Sequence, residues 1–236
     1  MAQNNKSVIA AIIIAIGLFL LGNRIASGLE NALGDERTVS VRGLSERIVP
    51  ADKVVWPLVY KEVGNDLEAL ASQVNNKNKI IINYLKAKGI SDDEISVSPP
   101  EIIDLQAERY VNQNIPYRYN LRTIITVSSK QVDLVRNLIN EQGELLDKGI
   151  AIVSGEYDAQ IDYQFTGLNE LKPDMIAEAT RNARQAAEQF ASDSDSKLGK
   201  IKTASQGQFS ITSRDQYTPY LKNVRVVTSV VYYLED

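Results

Sequence analysis

LNELKPDMIAEATRNARQAAEQFASDSDSKL, residues 168–198, sets the class of the fold. Ala179, Ala183, Ala186, Ala187, Phe190 and Ala191 recur on one face at helical spacing, which predicts a long helix over Leu168–Leu198 with a stripe of mostly small side chains. Small side chains let a sheet or a helix approach closely. Packing within the molecule is the plainer reading, and contact with a second copy is the other. At its head, Lys172-Pro173-Asp174 supplies a proline suited to the first turn and a carboxylate that complements the helix dipole, so an external anion would add little there.

Strand patterns flank this helix, over Ala151–Phe165 before it and over Lys200–Thr212 and Asn223–Leu234 after it. The first half repeats the mixture. Thr38–Arg42 alternates as a strand that Gly43 breaks, and Val54–Val63 resumes it as the second arm of a hairpin or meander, with Pro57 pointing to an edge or a bulge. Asp66–Lys88 changes to helical period, with Leu67, Leu70, Ala71, Val74, Ile81 and Leu85 on one stripe. Asn65 or Asp66 serves as N-cap and Gly89 as the residue after the C-cap, while Asn78 interrupts the stripe. Glu94–Leu105, around Pro99-Pro100, and Tyr117–Ser128 read as strands, with a loop at Asn112-Gln113-Asn114. Gln131–Asp147 reads as a helix with Val132, Val135, Leu138, Ile139 and Leu146 inward and Gly149 after it. Strands and helices mix without regular βαβ alternation or a glycine-rich dinucleotide turn, so the expected class is α+β. Mixed or antiparallel sheets would pack with three main helices.

Ser7–Gly22, SVIAAIIIAIGLFLLG, is uncharged between Lys6 and Arg24. With snorkelling ends it approaches the roughly 20 apolar residues that cross a bilayer. One N-terminal transmembrane helix is therefore expected within 1–24, its lipid-facing residues being Val8, Ile9, Ile12, Ile13, Ile14, Ile16, Leu18, Phe19, Leu20 and Leu21. The rival is a cleaved signal peptide releasing a soluble periplasmic body, but Asn23-Arg24-Ile25-Ala26-Ser27 offers no Ala-x-Ala site. Lys6 and the amino terminus favour an N-in arrangement over Arg24 and Arg37, which puts the body on the far side of the membrane. Residues 25–36 read as a linker and 37–236 as the body, either one unit or two α+β halves at 37–130 and 131–236.

The 236 residues carry 26 Lys+Arg against 30 Asp+Glu and 44% hydrophobic residues, the balance of a folded protein with no bias towards nucleic acid. The chain has no cysteine and no histidine, which excludes intrachain disulfides, thiolate nucleophiles, Cys/His zinc sites and His-dependent triads.

From Thr38 to the C-terminus the chain resembles the SIMPL-domain family. The resemblance rests on Val39-x-Val41-x-Gly43 followed by Pro50-Ala51-Asp52, on Leu85-x-x-x-Gly89-Ile90 with Asp93-Glu94-Ile95, and on Tyr117-Arg118-Tyr119. In the second half it rests on Phe165-Thr166-Gly167-Leu168-Asn169-Glu170-Leu171-Lys172-Pro173-Asp174, then Ser196-Lys197-Leu198-Gly199, Gln206-Gly207-Gln208-Phe209 and Val224-Arg225-Val226-Val227. Two departures stand out: Ser45 replaces a second glycine, and Ala51 separates a Pro-Asp pair. With these departures the chain looks like a membrane-anchored branch of the family. The resemblance implies an α+β envelope protein inclined to form homo-oligomers, with links to stress tolerance. It implies structural rather than catalytic roles for Gly43, Pro50, Asp52, Gly89, Leu168, Asn169, Pro173, Gly199 and Gly207.

Acidic groups at Asp92-Asp93-Glu94, Asp158 with Asp162, and Asp193 with Asp195 read as turn caps and solvated surface rather than a metal or glycosidase site. Arg109-Tyr110 and Tyr117–Arg122 interleave basic and aromatic residues, a pattern of single-strand nucleic-acid binders that strand alternation explains more simply. The expected function is that of a non-enzymatic, self-associating protein of the bacterial inner membrane, with no cofactor, no metal and an unspecified small ligand. The rival is an enzyme or binding protein for an envelope glycan or peptide, working through carboxylates and tyrosines.

Overall fold

The computed structural model describes residues 14–25, 36–107, 116–153 and 159–236. Among them the order is β1 (Thr38–Pro50), β2 (Lys53–Gly64), α1 (Leu67–Ala87), a 3-10 turn (Asp92–Glu94), β3 (Ile95–Val97), β4 (Glu101–Asp104), β5 (Tyr119–Ser129), α2 (Val132–Glu141), α3 (Gly143–Leu146), β6 (Asp162–Gln164), α4 (Leu168–Asp193), β7 (Lys197–Gln206), β8 (Ser210–Ser213) and β9 (Leu221–Glu235). One sheet has the order β1-β9-β7 with β8 also on β9, and the other β3-β5-β2-β6 with β4 also on β5. The pairings of β5 with β2, β3 and β4, of β6 with β2 and of β8 with β9 are antiparallel, so the class is α+β.

The residues divide into two compact units. One holds 180–205, 228–236 and the described residues up to Gly43; the other holds 44–179 and 206–227. The division runs within β1, α4 and β9 rather than between 130 and 131. In the first unit, Val39, Val41, Ala183, Ala187, Val230 and Tyr232 form a buried cluster edged by Leu198 and Leu234. In the second, Trp56, Leu58 and Tyr60 of β2 pack with Leu70, Val74, Ile81 and Leu85 of α1 and with Val135, Leu138 and Leu145. A separate cluster there joins Met175 and Ala179 to Val224 and Val226. Each such aliphatic or aromatic side chain contributes about 1.5–3 kcal/mol when fully buried.

Several sequence expectations change. Gly43 does not break β1, because its position falls on the inward row with Val39, Val41 and Ser45 and the strand runs through it. The strands β1 and β2 are not a hairpin, since they belong to different sheets. Pro57 lies opposite Thr126 of β5. On the other side of β2, β6 pairs only as far as Val55 and Val153 bridges at Val59, so the missing N–H of Pro57 falls between these pairings. The helix expected over Gln131–Asp147 is interrupted at Gln142, and the buried residue after the interruption is Leu145, with Leu146 62% exposed.

The long helix ends at Asp193 rather than Leu198. The Ser194 hydroxyl donates to the Phe190 carbonyl, Asp195 takes a left-handed φ of 51°, and the Ser196 N–H closes on the Ala191 carbonyl. Its inward stripe is Met175, Ala179, Ala183, Ala187 and Ala191, while Ala186 and Phe190 are exposed. The strand expected over Lys200–Thr212 is two strands, and only Asp162–Gln164 and the bridge at Val153 represent the one expected over Ala151–Phe165 among the described residues.

Residues 14–25 are helical, with Ile14, Ile16, Leu18, Phe19, Leu20 and Leu21 exposed. No helix among the described residues is long and apolar enough to cross a membrane. Val8, Ile9, Ile12 and Ile13 of the expected anchor, most of the expected linker, and the loop at Asn112-Gln113-Asn114 lie outside the described residues.

Candidate functional site

Asp52 sits just past the end of β1. Its backbone is pinned by two main-chain bonds, Ala51 N–H to the Tyr220 carbonyl at 2.8 Å and its own N–H to the Gln164 carbonyl at 2.9 Å. This aims the carboxylate at the start of α4. Its Oδ1 accepts the Thr166 N–H at 2.7 Å and its Oδ2 the Gly167 N–H at 2.8 Å. These N–H groups belong to the two residues just before the 26-residue helix, so Asp52 caps the turn that leads into α4 from more than a hundred residues away in sequence. A Cβ on Gly167 would stand 3.3 Å from Asp52 Oδ2 and from the Phe165 ring, which explains the glycine.

The helix therefore starts at Leu168, and Pro173 lies inside it rather than in its first turn. There Pro173 has no N–H to donate to the Asn169 carbonyl. The Asn169 side chain accepts from Lys172 Nζ at its Oδ1, at 2.9 Å. Asp174, expected to balance the dipole, lies 4.0 Å from the Arg47 guanidinium.

A cleft of about 510 Å³ opens beside the cap, lined by Pro50, Asp52, Lys130, Phe165, Glu170 and Leu171 among others. Lys130 lies in a locally ordinary context and Glu170 stands out only as part of a family motif, and the fold brings both to the cleft that Asp52 lines. The Asp52 oxygens are occupied by backbone donors, which suits a structural cap better than a proton-transferring acid.

The other motif residues take structural positions. Gly89, at φ +101°, ends α1, with its N–H on the Lys86 carbonyl and the Ile90 N–H on the Leu85 carbonyl. Leu168 packs with the Met175 cluster. A Cβ on Gly199 would lie 3.1 Å from the Tyr233 carbonyl, and one on Gly207 only 2.9 Å from the Val227 carbonyl, so both glycines allow close approach to β9. Ser45, the residue in place of a second glycine, is buried and donates its hydroxyl to Glu178 at 2.9 Å, where Arg47 also pairs at 3.4 Å.

The carboxyl groups with shifted titration lie elsewhere. Hydrogen bonds from Ser129 and then Ser91 hold Glu94 below the usual carboxylate range, and the Arg118 guanidinium does the same for Asp104. Asp215 is held down by the Thr218 hydroxyl, Arg214 and the backbone of its own turn. None of the three lines this cleft, the cleft beside Trp56 and Ile139 or the cleft beside Leu67 and Ile102, and all are stabilised as anions, the reverse of what a general acid needs. Among the described residues no group of three or more acidic side chains could hold a metal ion. Arg118 is spent on Asp104 and lies 4.9 Å over the Tyr119 ring, and Arg122 meets Glu101 at 3.5 Å, so this basic–aromatic run stitches β5 to β4. Arg109, Tyr110 and Asp158 lie outside the described residues.

The family model described as SIMPL, protein of unknown function (DUF541), matches residues 39–229. The chain belongs to the SIMPL family. No match was found among curated proteins. The matched span of this SIMPL domain runs from the second residue of β1 into β9, and so includes Asp52 and the start of α4 that it caps.

Proposed function

We propose that this SIMPL-domain protein is a non-enzymatic component of the bacterial envelope, held in the inner membrane by its N-terminal helix, with its body outside the cytoplasm. There the body self-associates in a scaffolding or stress-protective role. The observation that carries the self-association is β1. This 13-residue strand stands at the end of its sheet, and its outer edge has no strand partner among the described residues. A long unpaired edge is a template for another chain. Its outward row includes Ile48, 60% exposed. The uncharged run 7–22, exposed where it is described, supports the anchor. The commitment of Asp52 to backbone donors and the downward shifts of Glu94, Asp104 and Asp215 support a non-catalytic body.

Membrane attachment is tested by alkaline extraction of cell membranes, with a protease added to intact spheroplasts. The protein should stay with the membranes, and its body should be digested from outside. Release into the alkaline supernatant, or protection of the body until the membrane is breached, would remove the anchor or its orientation.

A further inference from the structure

Asn78 falls on the apolar stripe of α1, where an amide has no local reason to be. The buried Tyr60 hydroxyl donates to Asn78 Oδ1 at 2.7 Å and also lies 3.1 Å from the Val74 carbonyl. With Oδ1 engaged, the two Nδ2 donors remain, and they have no partner among the described residues. Asn78 and Asn75, one turn apart, stand on the wall of a cleft of about 530 Å³ whose other lining includes Leu67, Val97, Pro100, Ile102 and Leu121. That volume lies within the range of roughly 300–1,000 Å³ typical of ligand sites.

The facing wall is a sheet edge. Strands β3 and β4 both pair with β5 on their inner side. The Ser98 N–H bonds the Ile124 carbonyl and the Leu105 N–H the Arg118 carbonyl. Backbone direction alternates along a strand, so the N–H and C=O groups of Val97 and Ile102 point away from β5, where no strand pairs with them among the described residues. Val97 lies opposite Ile125 and Ile102 opposite Leu121, both buried, so the side chains of Val97 and Ile102 share the face of the sheet that carries the core. They are also 44% and 50% exposed. Apolar side chains and unpaired main-chain groups thus meet along one groove.

We propose that this groove binds an extended apolar peptide segment, added as a strand along the β3 or β4 edge. Its side chains enter between α1 and the sheet, and one backbone carbonyl accepts from Asn78. The two wall chemistries select this occupant. An alkyl chain would bury the Asn78 donors and the strand edge without partners, and a glycan would leave the apolar wall uncovered. A peptide satisfies both by strand addition. Pro99 and Pro100, which lack N–H groups, separate β3 from β4, so the segment pairs with one short strand at a time and binding is modest.

The test uses the full-length chain in phosphatidylcholine nanodiscs and a blocked, fluorescein-labelled peptide of sequence Ser-Val-Leu-Val-Ser, read by fluorescence anisotropy against empty nanodiscs. Binding should saturate. Ala71→Trp, at an exposed helix position on the groove, should weaken it at least tenfold while leaving the thermal melt in place. N-methylation of the central Leu and the following Val should weaken it comparably with the protein untouched. No saturable signal at millimolar peptide, affinity indifferent to both changes, or displacement of the peptide by self-association of the chain would each overturn the proposal. The last would give the groove to a second copy.

Discussion

Replacing Asp52 by alanine removes the carboxylate that accepts the Thr166 and Gly167 N–H groups at the head of α4. A hydrogen bond to a charged group is worth about 1.5–3 kcal/mol, and this carboxylate holds both N–H groups of the turn before α4. Thr166 is exposed and Gly167 half-buried, so water replaces part of what is lost. The expected destabilisation is therefore about 2 kcal/mol for Asp52→Ala and about 1 kcal/mol for Asp52→Asn, which keeps one acceptor oxygen. For a chain of this size about 2 kcal/mol lowers Tm by roughly 4–8 °C. The readout is built in: Trp56, the chain's one tryptophan, is 2% exposed in the core of the same unit, and its emission reports the melt. Asp174→Ala is the control, since that side chain is 75% exposed and its cation 4.0 Å away, and it should stay within about 0.5 kcal/mol of the parent. Equal melts for Asp52→Ala and Asp174→Ala would refute the long-range cap.

Leu145→Ala should cost about 2–5 kcal/mol in urea unfolding and Leu146→Ala less than about 0.5 kcal/mol, because the first is fully buried and the second 62% exposed. Ala187→Leu should destabilise by about 1–3 kcal/mol by overpacking, whereas Ala186→Leu, on the exposed face, should melt like the parent. Burial pushes the Tyr60 phenol from 10.0 up to about 12. The folded form thus keeps a proton that the unfolded chain releases, so this stabilisation is complete below pH 10 and declines as pH rises towards 12. Urea unfolding measured along that range should show the decline, with a smaller pH slope in Tyr60→Phe.

Local signals were legible where the physics was local. Asp66 caps α1 through the Glu68 and Ala69 N–H groups, and Gly89 ends it at positive φ, both as the sequence implied. The periods of α1, β2 and β5 likewise show in the order of their residues, although Leu67 and Ala71 of the expected α1 stripe are exposed and Tyr84 is buried in it. Partnership was not legible: nothing in Thr38–Val63 says that its two strands enter different sheets, because alternation marks a buried face and not the neighbour. The start of α4 at Leu168 was legible, but the role of its proline was not. Lys172-Pro173-Asp174 imitates a first turn but lies one turn inside the helix, and the turn before Leu168 is held by Asp52 from a distant part of the chain. Leu145 lies seven residues after the buried Leu138 and so continues its row, a spacing that singles it out over the adjacent Leu146. Asn78 read as a flaw in a stripe until Tyr60 supplied its partner.

The central claim is self-association of the body. Light scattering with refractive index detection on the full-length chain in detergent, at several concentrations and beside a chain beginning at Gly34, tests it most directly. Assemblies several times the 26.2 kDa chain mass in the first, and correspondingly large ones in the second, are the predicted result. Monomers in both, at every concentration, would contradict it.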